Sequence, residues 1–360
     1  MLGATLLTIA GLSLLLWAAA RAVLRGREAG NGSGLAERFD YDLAKYKKID
    51  PALIGYRQTG EIRTAMRQAR AVALGPADRI YVAGDKVIRV FEPDGEPHAE
   101  IAVEEEPGCL AVAGADLASP GLIYVGFTRH LDVPPGDKKA VHSRGHVEVY
   151  QPDGTRRASW EPIDRAVLTS VAAAEAGVFV ADAGNRVVVH YDASGKRLGA
   201  IDGRNRETGG PGFVIPSPYF DVAMAPDGLL RVVNPGAHRI EAYTVDGHRE
   251  AFWGEAGLQI ERFCGCCNPA HFTVMADGRY VTAEKGVPRV KVYSPDGYFQ
   301  CAVVGPEVLA PTATVIEETR AEHKLNAVDV AADSRGRVLV LDPAAGCVRI
   351  FEPKKNAAHD

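Results

Sequence analysis

The stretch Asp221-Val-Ala-Met-Ala-Pro-Asp-Gly-Leu-Leu-Arg-Val-Val-Asn-Pro-Gly-Ala-His-Arg-Ile-Glu-Ala-Tyr-Thr-Val-Asp-Gly-His-Arg-Glu-Ala-Phe-Trp-Gly254 decides the fold of this chain. It holds four short apolar runs, at 222–224, 229–233, 239–243 and 250–253, separated by Pro-Asp-Gly, Asn-Pro-Gly and Asp-Gly. Those separators supply the dihedrals of tight turns, so the spacing predicts a four-stranded antiparallel meander. One such sheet cannot bury both of its faces. A chain made of several copies is therefore expected to stack them radially into a propeller.

The copies are present at the same phase. Val72-Ala73-Leu74 opens a unit that continues through 79–82 and 87–91 to the turn Pro93-Asp94-Gly95. Leu110 opens a second, whose third strand ends before Pro152-Asp153-Gly154, and Val171 opens a third that passes 178–187 on its way to Ser194-Gly195. After the Asp221 unit come 272–305, with its turn Pro295-Asp296-Gly297, and 328–353, which has room for only three strands. Residues 54–64 precede the first unit and have no partner of their own. The reading is an all-β, six-bladed β-propeller over residues 54–353, with the N-terminal strand completing the last blade and removing the exposed sheet edges.

The run Ala181-Asp-Ala-Gly-Asn-Arg-Val-Val-Val-His-Tyr-Asp192 and its echo Asn234-Pro-Gly-Ala-His-Arg-Ile240 resemble NHL repeats, and the resemblance extends over about residues 69–353. NHL repeats form six-bladed propellers, so the resemblance implies the same architecture. It implies no single activity, because such propellers include binding platforms, extracellular proteins and a few lyases.

Composition agrees with one large all-β domain, since each blade of a propeller adds its own core. A net charge of -5, with only short basic runs at 45–48 and 63–70 interleaved with apolar residues, argues against a nucleic-acid surface.

Ahead of the propeller, residues 2–20 form an uncharged apolar run of nineteen residues, long enough to cross a bilayer at about 1.5 Å per residue. Residues 1–20 are thus read as a transmembrane anchor or a signal segment. Ala18-Ala19-Ala20 suits a cleavage site, but a basic n-region is missing, and Arg21, Arg25 and Arg27 follow the run. Those arginines favour a C-terminus inside. A folded domain behind an N-terminal apolar run is more often exported, and the expectation is a single pass with the propeller on the extracytoplasmic, periplasmic side. Residues 21–53 form a linker. It is Gly-rich at 28–34, and Leu35, Phe39, Leu43 and Tyr46 are spaced for a short amphipathic helix over 35–49 that packs on the propeller or the membrane surface. Residues 354–360 are a tail.

Strand order sorts the loops by face. The Pro-Asp-Gly turns share one side of the propeller. The other side receives the irregular segments 129–145, 204–218, 263–270 and 307–325, together with the loops near Asp182, Asn234, Glu284 and Asp342. Function is expected on that irregular side. The first residue of each innermost strand should line the channel mouth there, and aligning the units puts Ala71, Cys109, Ser170, Asp221, His271 and Ala327 at that position. Cys109, Ser170, Asp221 and His271 make a possible ligand ring, although a water-filled channel also tolerates polar residues.

The segment Phe263-Cys-Gly-Cys-Cys-Asn-Pro-Ala-His271 carries three of the six cysteines. Cys264 and Cys267 have the Cys-x-x-Cys spacing that brings two sulfurs to one metal or makes a redox dithiol. Cys264, Cys266, Cys267 and His271 are therefore the metal or redox candidates, with a transition metal as the possible cofactor. No second Cys-x-x-Cys completes a four-thiolate site, so further ligands would come from His130, His142, His146 or Glu284 on the same side. A structural disulfide, including one between Cys266 and Cys267, and plain burial are the other readings. Cys301 and Cys347 read as packing residues. No phosphate-binding loop, His-Glu-x-x-His or Gly-x-Ser-x-Gly motif is present. The expected function is a membrane-tethered propeller that presents its Cys-rich face to a metal, a redox partner or a protein. A pure interaction scaffold with disulfide-bonded cysteines, and a channel-mouth lyase or hydrolase using Asp221, His271 and a divalent ion, are the alternatives.

Overall fold

The computed structural model describes residues 48–132, 141–204, 210–309 and 327–354. The apolar run 2–20, most of the linker 21–53 and all but the first residue of the tail lie outside them. Of the proposed helix at 35–49 only Lys48 and Ile49 are described; neither is helical, and Ile49 is buried. Among the described residues no helix is long and apolar enough to cross a membrane.

The described chain forms six sheets. A first strand, β1 (Tyr56–Arg63), precedes blade one, which comprises β2 (Ala69–Leu74), β3 (Ile80–Gly84), β4 (Val87–Phe91) and β5 (Pro97–Ala102). Blade two is β6 (Pro107–Val112), β7 (Ile123–His130), β8 (Ser143–Tyr150) and β9 (Arg156–Ser159), with the two-residue β10 (Ile163–Asp164) added alongside β8. Blade three is β11 (Leu168–Ala174), β12 (Gly177–Asp182), β13 (Val187–Tyr191) and β14 (Arg197–Ile201). Blade four is β15 (Val222–Met224), β16 (Leu230–Asn234), β17 (Arg239–Tyr243) and β18 (Arg249–Trp253). Blade five is β19 (His271–Val274), β20 (Tyr280–Ala283), β21 (Val290–Tyr293) and β22 (Phe299–Val304). The last sheet, blade six, holds β23 (Asp329–Ala332), β24 (Val338–Asp342) and β25 (Cys347–Pro353), and its outer edge is β1.

That edge closes the ring. β1 runs antiparallel to β25 from Tyr56↔Pro353 to Arg63↔Cys347, with one register shift between Gln58 and Gly60. The second strand of each blade explains why the repeats read as continuous apolar runs. β3, β12, β16, β20 and β24 are buried at every residue, because both of their faces meet neighbouring blades. Outer strands such as β5 and β14 carry exposed polar residues instead.

The core is accordingly divided into slabs between blades. Val281, Val290 and Val292 of blade five meet Val330, Val340 and Phe351 of blade six, and Ile62, Leu339 and Val348 of blade six meet Val72, Ile80 and Val82 of blade one. Trp253, at the end of blade four, lies under the turn of blade five. A Cβ on Gly297, whose φ is +84°, would stand 2.4 Å from its indole Cγ, so only glycine fits both the turn and the contact.

One expectation about the loops changes. Sequence alone makes 129–145 an irregular insertion, yet β7 and β8 continue their ladder through Thr128↔Gly145, Arg129↔Arg144 and His130↔Ser143. Blade two therefore projects a longer hairpin, whose pairing is continued by the Leu131 N–H donating to the His142 carbonyl at 2.9 Å.

Candidate site at the channel mouth

The innermost strands β2, β6, β11, β15, β19 and β23 neighbour one another around the ring and enclose a channel of about 300 Å³. Strand pairing shows which residues share a level on its wall. Ala71 lies opposite Ala83, Cys109 opposite Gly126, Ser170 opposite Ala181 and His271 opposite Ala283. The Asp221 carbonyl, one residue before β15, accepts from Val233 N at 2.9 Å. In blade six the equivalent pair is Asp329↔Leu341. The sixth position is therefore Asp329 and not Ala327, which precedes the strand and bonds through its backbone N–H to the Tyr219 hydroxyl at 3.3 Å. A signal for this was available: the turn glycines Gly177, Gly228, Gly278 and Gly336 each stand seven residues after Ser170, Asp221, His271 and Asp329. Aligning blades on that glycine rather than on the first apolar residue finds the aspartate.

Asp329 changes the chemistry of the mouth. Each of Asp221, His271 and Asp329 offers a donor atom within 4.8 Å of the others. His271 Nδ1 lies 3.5 Å from Asp221 Oδ2 and 3.6 Å from Asp329 Oδ1. Both carboxylates are aimed by backbone. Asp221 accepts from its own neighbour Val222 N at 2.8 Å and from Phe272 N of the next blade at 2.9 Å. Asp329 accepts from Val330 N and, across the closure, from Val72 N, each at 2.8 Å. Ser170 does the same more weakly, its hydroxyl accepting from Val222 N at 3.3 Å. These bonds lash blade to blade, which is a structural role in its own right. They leave lone pairs on every carboxylate oxygen for a further partner.

The electrostatics follow from burial and charge. Burial disfavours the imidazolium of His271, but the carboxylates of Asp329 and Asp221 outweigh it and raise the pKa above the ordinary 6.5. Burial also lifts the carboxyl of Asp329, with His271 opposing and Asp221 adding to the rise. The trio thus holds on to protons at His271 and Asp329. It can bind a divalent cation in their place, or act as an imidazolium clamped between two carboxylates.

The other residues singled out from the sequence go elsewhere. Cys109 lines the channel wall but is buried against Gly126, and burial drives its thiol well above the usual range. Glu284 is fully buried; its carboxylate accepts from Arg289 Nε at 2.5 Å and from Cys264 N at 2.9 Å, with Lys291 Nζ at 3.4 Å. It is the centre of an ion network, not a free ligand. Lys291 in turn donates to the carbonyls of Ile260 and Arg262 at 3.0 and 2.8 Å, which pins the base of the cysteine loop. His130 and His142 are exposed at the described end of the blade-two hairpin, and His146 stacks on Phe127 at 5.2 Å. Among the described residues no three of Cys264, Cys266, Cys267, His130, His142, His146 and Glu284 converge as metal donors. The Cys-x-x-Cys pair divides as well. Cys264 faces Glu284, Arg289 and Lys291, whereas the Cys267 sulfur lies 3.2 Å from that of Cys266 and 3.1 Å from Ser217 Oγ.

No family model matches the chain, and no curated protein does, so the NHL resemblance rests on the runs 181–192 and 234–240. Several solved structures are similar to the chain. A catalytically inactive virginiamycin B lyase from Staphylococcus aureus, crystallised with quinupristin, is similar over 83% of this chain and 100% of its own, with 11% identity and a TM-score of 0.50. The WD40 β-propeller domain of Doa1 matches over 85% of this chain and 99% of its own, at 11% identity and a TM-score of 0.49. A protein of unknown function from Bacteroides caccae matches over 67% and 82%, at 14% identity and a TM-score of 0.48.

Proposed function

We propose that this propeller binds a divalent cation at its channel mouth through Asp221, His271 and Asp329 and uses it to hold a small anionic ligand entering the channel. The observation that carries the reading is the convergence of three donors from three successive blades within 4.8 Å. Two carboxylate oxygens and one imidazole nitrogen suit a first-row divalent cation such as Mn²⁺, which favours oxygen, or Zn²⁺, which takes both donors. With His271 neutral, the trio carries two negative charges, which a bound divalent ion would neutralise. A lyase or hydrolase reaction on an ester or amide-like ligand would use that ion as a Lewis acid, and a lyase is among the proteins sharing the fold. The fold also suits a protein-interaction scaffold.

Calorimetric titration with Mn²⁺ or Zn²⁺ is expected to show one site per chain, weakened at least about tenfold by Asp329→Asn or His271→Ala. Affinity should rise with pH. His271 holds its proton to above pH 6.5, and the cation must displace it, so binding is weakest where the imidazolium persists and strengthens as the pH climbs through its raised value. No uptake at millimolar cation at pH 8 would leave the trio as a blade-tying network and favour the scaffold.

The run 2–20, which lies outside the described residues, supports a membrane tether with the propeller on the extracytoplasmic side. The chain should then stay with membranes through a carbonate wash, and protease added outside the inner membrane should cut it. Protection would reverse the orientation, as the arginine count suggests.

A further inference from the structure

The cysteine loop is not used by the channel-mouth reading, and its geometry is specific. Cys266 is exposed and Cys267 is buried, with their sulfurs 3.2 Å apart. The deeper sulfur also touches Ser217 Oγ at 3.1 Å, from a segment 50 residues away. Behind it stands Lys285, whose backbone is fixed by Asn268: Lys285 N donates to Asn268 Oδ1 at 2.9 Å, and Asn268 Nδ2 donates to the carbonyls of Cys264 and Lys285 at 2.6 and 3.0 Å. The loop is thus built to hold two adjacent thiols, one facing solvent and one facing polar partners.

We infer that Cys266 and Cys267 form a thiol–disulfide exchange site that cycles between a dithiol and a disulfide of adjacent residues, with low-molecular-weight thiols and disulfides as its reaction partners. Only about 1 Å of sulfur movement separates the observed contact from an S–S bond of roughly 2.05 Å. The closed form is under tension, because adjacent Cα atoms stand about 3.8 Å apart whereas ordinary disulfides span roughly 4.4–6.8 Å. A tensioned, accessible disulfide is readily reduced, which suits exchange and not a permanent staple.

The two sulfurs have different parts. In the reductive direction an external thiolate attacks the exposed Cys266 sulfur; the S–S bond breaks, and Cys267 leaves with the electron pair as a thiolate. Burial works against that thiolate, but contact with Lys285, Ser217 and Cys266 and the Lys285 charge more than offset it, holding the Cys267 thiol below its usual range. A lower-pKa sulfur is the better leaving group. A second external thiolate then attacks its partner sulfur in the mixed disulfide and releases Cys266. In sum, two thiols and the protein disulfide give one external disulfide and the protein dithiol, and oxidation by an external disulfide is the reverse. Lys285 Nζ also sits 4.9 Å over the Tyr219 ring, which meets His271 edge-on at 5.7 Å, so the site neighbours the channel trio without sharing its residues.

The test equilibrates the full-length chain with reduced and oxidised glutathione at set ratios, quenches with acid, alkylates after unfolding and locates modified cysteines by mass spectrometry. In oxidised buffer Cys266 and Cys267 should together lose two hydrogens, while Cys109, Cys264, Cys301 and Cys347 remain alkylated. Cys267→Ser should trap glutathione on Cys266, and Cys266→Ser should lose the adduct. Lys285→Met should slow opening of the disulfide by reduced glutathione roughly tenfold, since the leaving thiolate loses its cation. Two alkylated thiols at 266 and 267 in oxidised buffer, a bond from Cys264 to Cys267, or an adduct on Cys266 of the wild-type chain that never closes would each overturn the inference. None of these readings depends on cation binding, so the two proposals fail separately.

Discussion

A chain shortened to begin at Met66 is expected to lose its cooperative unfolding transition and to aggregate. The cut removes β1, whose ladder on β25 spans Tyr56↔Pro353 to Arg63↔Cys347. Two of its side chains are buried in separate slabs, Tyr56 between blades five and six and Ile62 between blades six and one. Burying Ile62 contributes about 1.5–3 kcal/mol, and the Tyr56 ring adds apolar burial. The backbone bonds of the ladder add to that, and the exposed edge of β25 becomes a template for another chain. The sum is a large share of the roughly 5–15 kcal/mol that holds a domain together. Size-exclusion chromatography and thermal melts of the shortened chain decide the matter. A monomer with the parent melting temperature would show that β1 does not hold the ring closed.

Glu284→Ala is expected to be the most damaging single substitution in blade five, costing about 3–5 kcal/mol, because it leaves buried cations without their counter-charge. Arg289 and Lys291 are 3% and 0% exposed at the side chain, so water cannot replace the carboxylate. The same change frees Cys264 N and loosens the base of the cysteine loop. Adding Lys291→Met to Glu284→Ala should recover part of the loss, since one stranded charge goes with it.

Lys291 also gives a pH signature. Burial is the main reason its pKa is lowered to about 8 from 10.5, with Glu284 opposing. Between those values the unfolded chain binds the proton and the folded chain does not, so this group makes stability rise with pH across that window. Denaturant unfolding at several pH values should show the rise in the parent and its absence in Lys291→Met. A Glu284→Ala variant as stable as the parent would mean that the network contributes nothing net.

The turns and strands were legible because their causes are local. Pro-Asp-Gly fixes a turn wherever it stands, an apolar run that recurs with it is a strand, and counting strands exposed the missing edge that β1 supplies. The candidate site was legible only in part. Asp221 and His271 are placed on the channel by repeat alignment, but alignment on the first apolar residue slips by two in blade six, to Ala327, where the turn glycine Gly336 and the pairing with Leu341 both set the register at Asp329. Glu284 looked like a ligand from its position on a loop. Its burial between Arg289 and Lys291 depends on how the segment 255–264 folds over blade five. Cysteine spacing suggested Cys264 with Cys267, whereas the fold turns Cys264 toward Glu284 and sets Cys267 between Cys266 and Ser217. Sequence by itself determined the repeating unit, because each unit is specified by contiguous residues and backbone dihedrals. The tertiary structure alone decided which polar side chains meet, because those meetings join residues from different blades, and closure of the ring sets their distances.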